Sequence, residues 1–337
     1  VHLRSCPRSL RPGDVVRVAL ETSKKNYARG RLLEISAPSA SRIEPDCPYA
    51  STCPGCAYRH VAYSCELAWK QRQFQSFLLR GGALAKASAI RRPVGAPTRT
   101  GYRNKLTFAC GNGRFCYRGS DNRTAVPVAE CLLGHDAIRA LMRSAPAPAD
   151  GRCVFRWTER DGALRSDTPE WSARGSLTES LDGFGEFQVA PDSFFQTNPA
   201  MASRLARAVV SAASGLPNLI ELFSGVGVFS ILAAEENPAL RSVGVESDPL
   251  ARPFAERNAA SHGVAERCSF LCADAERAFS ELASRSEPDR TCVLLDPPRT
   301  GISANLAAAL AAFSPARLVY VSCSADALRR DLERIVP

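Results

Sequence analysis

Residues 218–232, NLIELFSGVGVFSIL, predict a strand, a tight turn and a helix in direct succession. An apolar run ends at Ser224, and a second apolar run, rich in helix-forming residues, begins at Val228. The two glycines between them, Gly225 and Gly227, allow the backbone to approach a bound molecule closely. The helix after the turn starts with unpaired N–H groups, so the turn is a candidate ligand site. By itself this pattern is also typical of an ordinary tight turn in an α/β fold.

A second predicted strand, Ser242–Val245, ends at Glu246, about 20 residues beyond the glycine turn. An acidic residue at this distance can accept hydrogen bonds from both ribose hydroxyls of a nucleoside. The turn and the carboxylate therefore fit one ligand that contains a nucleoside. The next helix is predicted over residues 248–260, with Asp248 as its N-cap and Pro249 at its first position.

Three further strands are predicted, and polar or reactive residues follow each of them. They are Cys268–Cys272 followed by Asp274, Cys292–Leu295 followed by Asp296, and Leu318–Val321 followed by Ser322-Cys323-Ser324. Helical segments between the strands indicate an α/β fold with a parallel, doubly wound sheet. Ligands bind at the carboxyl ends of the strands in such sheets, so the residues that follow the strands are expected to converge on one crevice.

The motifs ELFSGVGVFSIL, VGVE, DPPRTG and VSCS occur in this order between residues 221 and 324. Together they resemble the uracil-C5 RNA methyltransferases that use S-adenosylmethionine, in particular the members that carry an iron–sulfur cluster and modify 23S ribosomal RNA. The resemblance implies a class I methyltransferase domain with a Rossmann-like sheet. It also implies a set of cofactor-binding residues, namely Gln196, Phe223, Gly225, Gly227, Glu246, Asp274 and Asp296.

Cys323 is the nucleophile that the resemblance implies. Uracil C5 reacts poorly by itself, and a thiolate that adds to C6 turns the ring into an enolate whose C5 can take up a methyl group. On position alone, a buried cysteine at a strand end is the simpler interpretation. The resemblance also shows departures: Val228 stands where the family has a polar residue, and the sequence stops at Pro337, before the family's general-base Glu and its last two strands. Leu318–Val321 is therefore expected to be an uncovered edge of a fragment.

Residues 47–56, CPYASTCPGC, place three thiols on one loop that contains proline and glycine, namely Cys47, Cys53 and Cys56. Zinc would require further ligands, and His60 is one candidate. A [4Fe–4S] cluster would require a fourth thiolate, which can be distant in sequence. The resemblance favours the iron–sulfur cluster and implies Cys131 as its fourth ligand. Cys65 is closer in sequence but lies in a predicted amphipathic helix, so it is interpreted as structural.

Two segments are candidates for RNA contacts. Residues 101–108, GYRNKLTF, bring basic and aromatic residues into a strand, and the resemblance implies that Arg103 and Lys105 face RNA; a cationic edge strand is the alternative. In residues 191–198, PDSFFQTN, the resemblance implies that Phe194 stacks on a base turned out of its helix. It assigns Gln196 to the methionine end of the cofactor. Without the resemblance, both aromatics of this segment would be predicted to lie in the core.

Three domains are expected. Residues 1–46 contain two predicted strands and are similar to part of the TRAM module, an OB-like RNA-binding β-barrel; a divergent, shorter module is the alternative. Residues 47–187 are interpreted as a central α+β domain with the iron–sulfur cluster, and residues 188–337 as the methyltransferase domain. The length of 337 residues and the hydrophobic content of 45% are sufficient for several cores.

The composition restricts the environment and the partners. No apolar run is long enough to cross a bilayer, and thirteen cysteines spread through predicted strands favour a reducing cytoplasm over a secreted disulfide framework. The net charge of +9 favours a polyanion, which by the resemblance is RNA, 23S rRNA in particular. We expect a cytoplasmic monomer that binds no membrane. Two alternative functions remain. One is an amino-group methyltransferase, a class that also has Asp-Pro-Pro after the fourth strand, and the other is a cluster-bearing RNA-binding module without turnover.

Overall fold

The computed structural model describes residues 2–4, 10, 12–79 and 90–336, which form four sheets flanked by helices. In the first half of the chain the elements are β1 His2–Arg4, β2 Val15–Lys24, β3 Tyr27–Ala37, α1 Tyr63–Leu79, β4 Lys105–Gly111, β5 Arg114–Arg118, β6 Ala125–Pro127, α2 Asp136–Ser144, β7 Asp150–Thr158, β8 Gly162–Arg165 and α3 Pro169–Ser172. In the second half they are β9 Leu177–Leu181, β10 Gly185–Val189, α4 Pro199–Ala213, β11 Asn218–Leu222, α5 Val228–Glu236, β12 Arg241–Glu246, α6 Arg252–Ser261, β13 Cys268–Cys272, α7 Ala275–Ala283, β14 Thr291–Leu295, α8 Ala304–Phe313, β15 Arg317–Tyr320 and α9 Ala325–Ile335. None of the helices in these ranges is long and apolar enough to span a bilayer.

The amino-terminal sheet contains the two predicted strands as an antiparallel pair, β2 and β3, and β1 lies parallel to the other edge of β3. Both strands are longer than predicted. Bulges interrupt the register between Val15 and Val16, between Arg17 and Val18, and between Leu20 and Thr22. Bulges increase the twist of an antiparallel pair, which bends this long hairpin. The barrel itself remains a prediction.

The central sheet has the order β6–β5–β4–β7–β8 and is antiparallel throughout. Helix α2 packs its buried Ile138 and Met142 against the apolar face of this sheet. Residues 101–108 lead into a strand as predicted, and β4 itself begins at Lys105, because the backbone before it bonds to other segments. Arg103 N–H donates to the carbonyl of Leu133, and Asn104 N–H donates to that of Thr197.

A hairpin of β9 and β10 connects the central sheet to the last domain. Its buried Leu177, Leu181 and Phe187 belong to the same apolar cluster as helices α4 and α5. Helix α4 begins as predicted at Pro199, and the Asn198 side chain accepts from the Met201 N–H at 3.2 Å. The hairpin therefore packs with the domain that follows it.

The five strands predicted for the last domain are all present and form a parallel sheet with the order β13–β12–β11–β14–β15. Helices cover both faces, and one apolar cluster lies on each face. Strand β14 is buried along its whole length. Leu222 pairs with Val245 on one side and with Leu295 on the other, so the carboxyl ends of the three central strands lie level. This is the doubly wound α/β architecture that the sequence predicts.

The helix predicted over residues 248–260 begins later, at Arg252. The Asp248 carboxylate accepts from the N–H of Leu250, and the Ala251 N–H donates to the Asp248 carbonyl. Asp248 therefore stabilises a turn before the helix instead of capping the helix itself. Pro253, in place of Pro249, lies in the first turn of α6.

Candidate active site

The glycine turn joins β11 to α5 and contains three residues with positive φ: Phe223 at 66°, Gly225 at 52° and Gly227 at 83°. A bulky residue such as Phe223 is rare in this region, and strained backbone of this kind concentrates at functional sites. A Cβ at Gly227 would lie 2.7 Å from the ring of Phe270, so this position needs glycine for its φ and for its packing. Gly225 faces open space. The turn is therefore both strained and accessible.

Glu246 lies beside the turn, at the end of β12. Its Oε2 accepts from the Gly225 N–H at 3.0 Å, and its Oε1 accepts from the Asp248 N–H at 2.9 Å and from the Ser247 hydroxyl at 3.2 Å. The carboxylate thus joins the glycine turn to the loop before α6. A carboxylate has about four acceptor positions, so it can still accept bonds from a ligand.

Glu221 is an acidic residue of this site that the sequence reading missed. It lies inside β11 and is fully buried, and its Oε2 accepts from both the N–H and the hydroxyl of Ser230 in the first turn of α5. Its Oε1 has no hydrogen-bond partner among the described residues. Burial is the main cause that raises the pKa of Glu221 to about 8; the hydrogen bonds from Ser230 oppose this shift, and the carboxylates of Asp296 and Glu246 add to it. The only signal in the sequence was an acid inside an apolar strand.

The strand ends on either side supply two more predicted acids. Asp296 follows β14, and burial raises its pKa to about 6. Asp274 follows β13 and is exposed, and its side chain caps α7 by accepting from the Arg277 N–H at 3.0 Å. Asp296 therefore lies next to the glycine turn, whereas Asp274 lies two strands away along the same sheet edge.

Cys323 lies on the loop between β15 and α9, and it is exposed. This excludes its interpretation as a buried core cysteine. Asp331 of α9 organises the surroundings: its Oδ2 accepts from the Tyr320 hydroxyl at 2.7 Å and from the Ile302 N–H at 2.9 Å. This buried carboxylate, which was not predicted from the sequence, thereby joins the loop after β14 to the end of β15, three residues before Cys323.

Residues 191–198 form a loop at the entrance to this domain, and its two aromatics differ in environment. Phe195 is buried, whereas Phe194 is 74% exposed. Lys105 donates to the carbonyls of Asp192 and Ser193 at 3.0 and 3.1 Å, and burial lowers the pKa of this lysine to about 8. Lys105 therefore holds the loop that presents Phe194, although the resemblance implied that it faces RNA.

A buried ion pair supports the same loop from inside. Arg156 contacts the Glu179 carboxylate through Nε and Nη2 at 3.0 and 2.7 Å, and its Nη1 donates to the carbonyls of Pro191 and Ser193, each at 2.9 Å. Asn104 completes the network, because its Nδ2 donates to the second oxygen of Glu179 at 2.8 Å. Gln196 is half-buried, and its backbone carbonyl accepts from the same Asn104 Nδ2 at 3.5 Å.

The four predicted cluster ligands line one cavity, which has room for about 80 Å³ of water; they are Cys47, Cys53, Cys56 and Cys131. Arg103 also lines this cavity, and His60, the extra ligand considered for zinc, does not. Burial, followed by the nearby Cys131, raises the pKa of the Cys56 thiol. Within the described ranges, no three His, Cys, Asp or Glu side chains are gathered closely enough to hold a single metal ion.

Comparison with known proteins agrees with this architecture. The chain is 29% identical to an uncharacterized RNA methyltransferase of Thermosynechococcus vestitus, covering 96% of this chain and 84% of the relative. It is 28% identical to one of Gloeobacter violaceus, covering 96% and 83%. The fold matches the Pyrococcus abyssi tRNA (uracil-54, C5)-methyltransferase in complex with S-adenosyl-L-homocysteine, with a TM-score of 0.70 at 21% identity, over 98% of this chain and 88% of that one.

The sequence model of the tRNA (uracil-5-)-methyltransferase family matches residues 183–336, which begin inside the β9–β10 hairpin and include the glycine turn and Cys323. From this match we conclude that residues 183–336 form a methyltransferase domain of the uracil-C5 RNA methyltransferase family, and the similarity to RNA methyltransferases extends along nearly the whole chain.

Proposed function

We propose that the protein methylates C5 of a uridine in RNA and that Cys323 holds the uracil covalently during the reaction. The observation that carries this proposal is the exposed thiol of Cys323 on the sheet edge that also carries the glycine turn and Asp296. A core cysteine would be buried. An amino-group methyltransferase, which also uses Asp-Pro-Pro, would not need a thiol at this position.

S-adenosylmethionine is the cofactor that fits the turn. Glu246 would accept bonds from its ribose hydroxyls, and Phe223, Gly225 and Gly227 would contact it through the turn. Two buried atoms support a ligand here, because Ser224 Oγ and Glu221 Oε1 have no hydrogen-bond partner in the described part of the chain. Asp274 and Gln196 are proposed for the outer parts of the cofactor. When bound, it supplies a methyl group on a positively charged sulfur.

The thiolate of Cys323 would add to C6 of the uracil, which breaks the C5–C6 double bond and moves its electron pair to C5. After C5 has gained the methyl group, its proton must leave to a base. The electron pair of the broken C5–H bond then reforms the double bond and expels the Cys323 thiolate. Asp296 would bind the uracil or the cofactor beside this thiol.

The exposed ring of Phe194 is suited to stack on a uracil that is turned out of the RNA. Arg103 and Lys105 are proposed to act on the RNA side, Lys105 by holding the loop that carries Phe194. We further propose 23S rRNA as the substrate, an RNA-binding role for the β1–β3 sheet as part of a TRAM module, and a cytoplasmic, monomeric enzyme.

We propose a [4Fe–4S] cluster for the cysteine cavity, because four thiols line it. One zinc ion bound at about 2.3 Å from each sulfur would draw the thiols together. In a [4Fe–4S] cluster each thiolate bonds a different iron, so the thiols surround the cluster from separate corners. The cluster would fix the loop of residues 47–56, and methyl transfer requires no electron from it.

A denaturing gel with labelled 23S rRNA and S-adenosylmethionine tests the proposal. We expect a cofactor-dependent protein–RNA adduct that is absent in Cys323→Ala. Cys272→Ala is the matched control, because Cys272 is also an exposed cysteine, at the carboxyl end of a strand of the same sheet, and this variant should retain the adduct. An adduct that persists in Cys323→Ala would assign the nucleophile to another residue.

A further inference from the structure

A second pocket of about 400 Å³ adjoins the cysteine cavity, and its walls do not belong to the methyltransferase sheet. It lies between the cysteine loop, the first turns of α1 and the segment before β4. Cys56, Arg59 and Arg103 line both this pocket and the cysteine cavity. A volume of this size is within the range of pockets for small ligands, roughly 300–1,000 Å³.

The pocket is strongly cationic. Four basic side chains line it, and one acidic side chain, Glu66, does so as well. Lys70 Nζ lies 2.6 Å from Glu66 Oε1, and Arg99 Nη2 lies 3.5 Å from Glu66 Oε2, so one carboxylate pairs with two positive charges. Arg103 adds a buried Nε that has no hydrogen-bond partner among the described residues. Arg59 is paired with Asp46, and the remaining side chains still give the walls an excess of donors and positive charge, which suits an anion.

The pocket also contains three tyrosines, Tyr58, Tyr63 and Tyr102. Lys70 lies 5.4 Å from the ring centre of Tyr58, and Arg99 lies 5.4 Å from that of Tyr63. Aromatic rings interleaved with cations are the usual means by which proteins bind single-stranded nucleic acid, because bases stack on the rings and phosphates meet the cations. A simple anion would not need the aromatic walls.

We propose that this pocket binds one nucleotide of the substrate RNA, outside the uridine that is methylated. Its phosphate would contact Lys70, Arg99 and Arg103, and its base would stack on Tyr102, because the rings of Tyr58 and Tyr63 already contact Lys70 and Arg99. The segment that carries Tyr102 and Arg103 continues directly into Lys105, which holds the loop of Phe194. A nucleotide in the pocket would thus lie on the same segment that supports the active-site loop. The inference rests on the proposed RNA substrate.

The test measures binding without chemistry, in the full chain carrying Cys323→Ala, by fluorescence anisotropy with a labelled oligouridylate. Tyr102→Leu should weaken binding about ten-fold, since stacking on one aromatic ring has an effect of this order. A plot of the logarithm of the association constant against the logarithm of the salt concentration has a negative slope. Lys70→Gln should make this slope less steep by about 0.7, the value for one phosphate contact of a single strand. Melting curves followed by circular dichroism establish that each variant is folded.

Arg72→Gln is the matched control, because Arg72 is exposed two residues further along the same helix and does not line the pocket. It should leave the affinity nearly unchanged. Equal losses in Lys70→Gln and Arg72→Gln, or wild-type affinity in Tyr102→Leu, would overturn the pocket while leaving the methylation proposal intact. Competition by polyglutamate as effective as that by the oligouridylate would also overturn it, in favour of an acidic protein partner. Loss of the Cys323 adduct with intact RNA binding would instead refute the proposed chemistry alone.

Discussion

Arg156 Nη2 lies 2.7 Å from Glu179 Oε1, and the two side chains are 1% and 3% exposed. The same guanidinium donates to two carbonyls of the loop that exposes Phe194. One buried charge is thus balanced by a core carboxylate and used to hold a surface loop. Burial of such a pair contributes little net stability, but removing one partner is strongly destabilising. We therefore interpret Arg156 as a positioning residue for the active-site loop.

Arg156→Lys should lower both stability and activity. Lysine retains the charge but cannot contact Glu179 and the Pro191 carbonyl in the same planar arrangement. We expect the free energy of unfolding in urea to fall by about 2–4 kcal/mol, toward the value for a broken buried pair. Arg160→Lys is the control, because the Arg160–Glu186 pair is exposed and should change stability by less than about 0.5 kcal/mol. Unchanged protease resistance of residues 190–197 in Arg156→Lys would contradict the positioning role.

Glu246→Ala should weaken S-adenosylmethionine binding by roughly 1–3 kcal/mol, because the ribose hydroxyls and the N–H of Gly225 would lose their acceptor. Isothermal titration calorimetry measures this directly. Glu256→Ala removes an exposed carboxylate that pairs with Arg252 on the next helix, and it should leave the affinity unchanged. Equal affinity of Glu246→Ala and wild type would remove Glu246 from the cofactor site.

Asp296→Asn should stabilise the protein above about pH 6. Burial raises the pKa of Asp296 from its usual 3.8 to about 6, so the folded protein binds more protons than the unfolded chain between these values. The contribution of Asp296 to the free energy of unfolding is therefore greatest at low pH, and it is lost as the pH rises from about 3.8 to about 6. At pH 8 the asparagine variant should be more stable by at most about 3 kcal/mol, and at pH 4 the two should be nearly equal.

Urea unfolding at both pH values, with exposed Asp289→Asn as the control, measures this difference. The same substitution should reduce methylation if Asp296 acts in the site. A gain in stability that is independent of pH would show that the effect does not arise from the titration of Asp296.

Anaerobically purified protein should be brown and contain about four irons per chain, as expected for a [4Fe–4S] cluster. Cys131→Ser should lose most of this iron, because Cys131 lines the cavity with the three cysteines of the loop. Cys65→Ser should retain it, since Cys65 lies in α1 and does not line the cavity. Stoichiometric zinc without iron in the wild type would overturn the cluster assignment.

The parallel sheet was predictable because its strands are short apolar runs that each end in a polar residue. The predicted strand Cys268–Cys272 coincides with β13, and Cys292–Leu295 differs from β14 by one residue. The position of Glu246 beside the glycine turn followed from the same reasoning, since parallel strands align their carboxyl ends. Local signals of this kind persist in the structure because no distant contact competes with them.

Features that depend on distant partners were not predictable. Arg156 and Glu179 are far apart in sequence and resemble exposed surface charges until folding buries them together. Asp331 likewise reads as a solvated helix residue, yet it is fully buried and accepts from the Tyr320 hydroxyl. Arg103 was expected to face RNA from an open strand, but it lines the cysteine cavity. The other side of that cavity is a loop about fifty residues earlier in the chain, and local sequence patterns do not encode contacts between such distant segments.

Gly227 and Gly244 both pack against the ring of Phe270. The residue at position 270 therefore influences which residues are tolerated at the two glycine positions. A Cβ at Gly244 would lie 2.7 Å from Phe270 Cδ1, so alanine there alone should be strongly disfavoured. Leucine at position 270 would leave a small void, which the alanine could partly fill, and the two changes together should cost less than the sum of their separate effects. A smaller residue at position 270 would not compensate for a substitution at Gly227, because the φ of 83° at position 227 disfavours any side chain. A smaller side chain at position 270 therefore makes alanine at position 244 more acceptable, whereas position 227 requires glycine whatever residue stands at position 270.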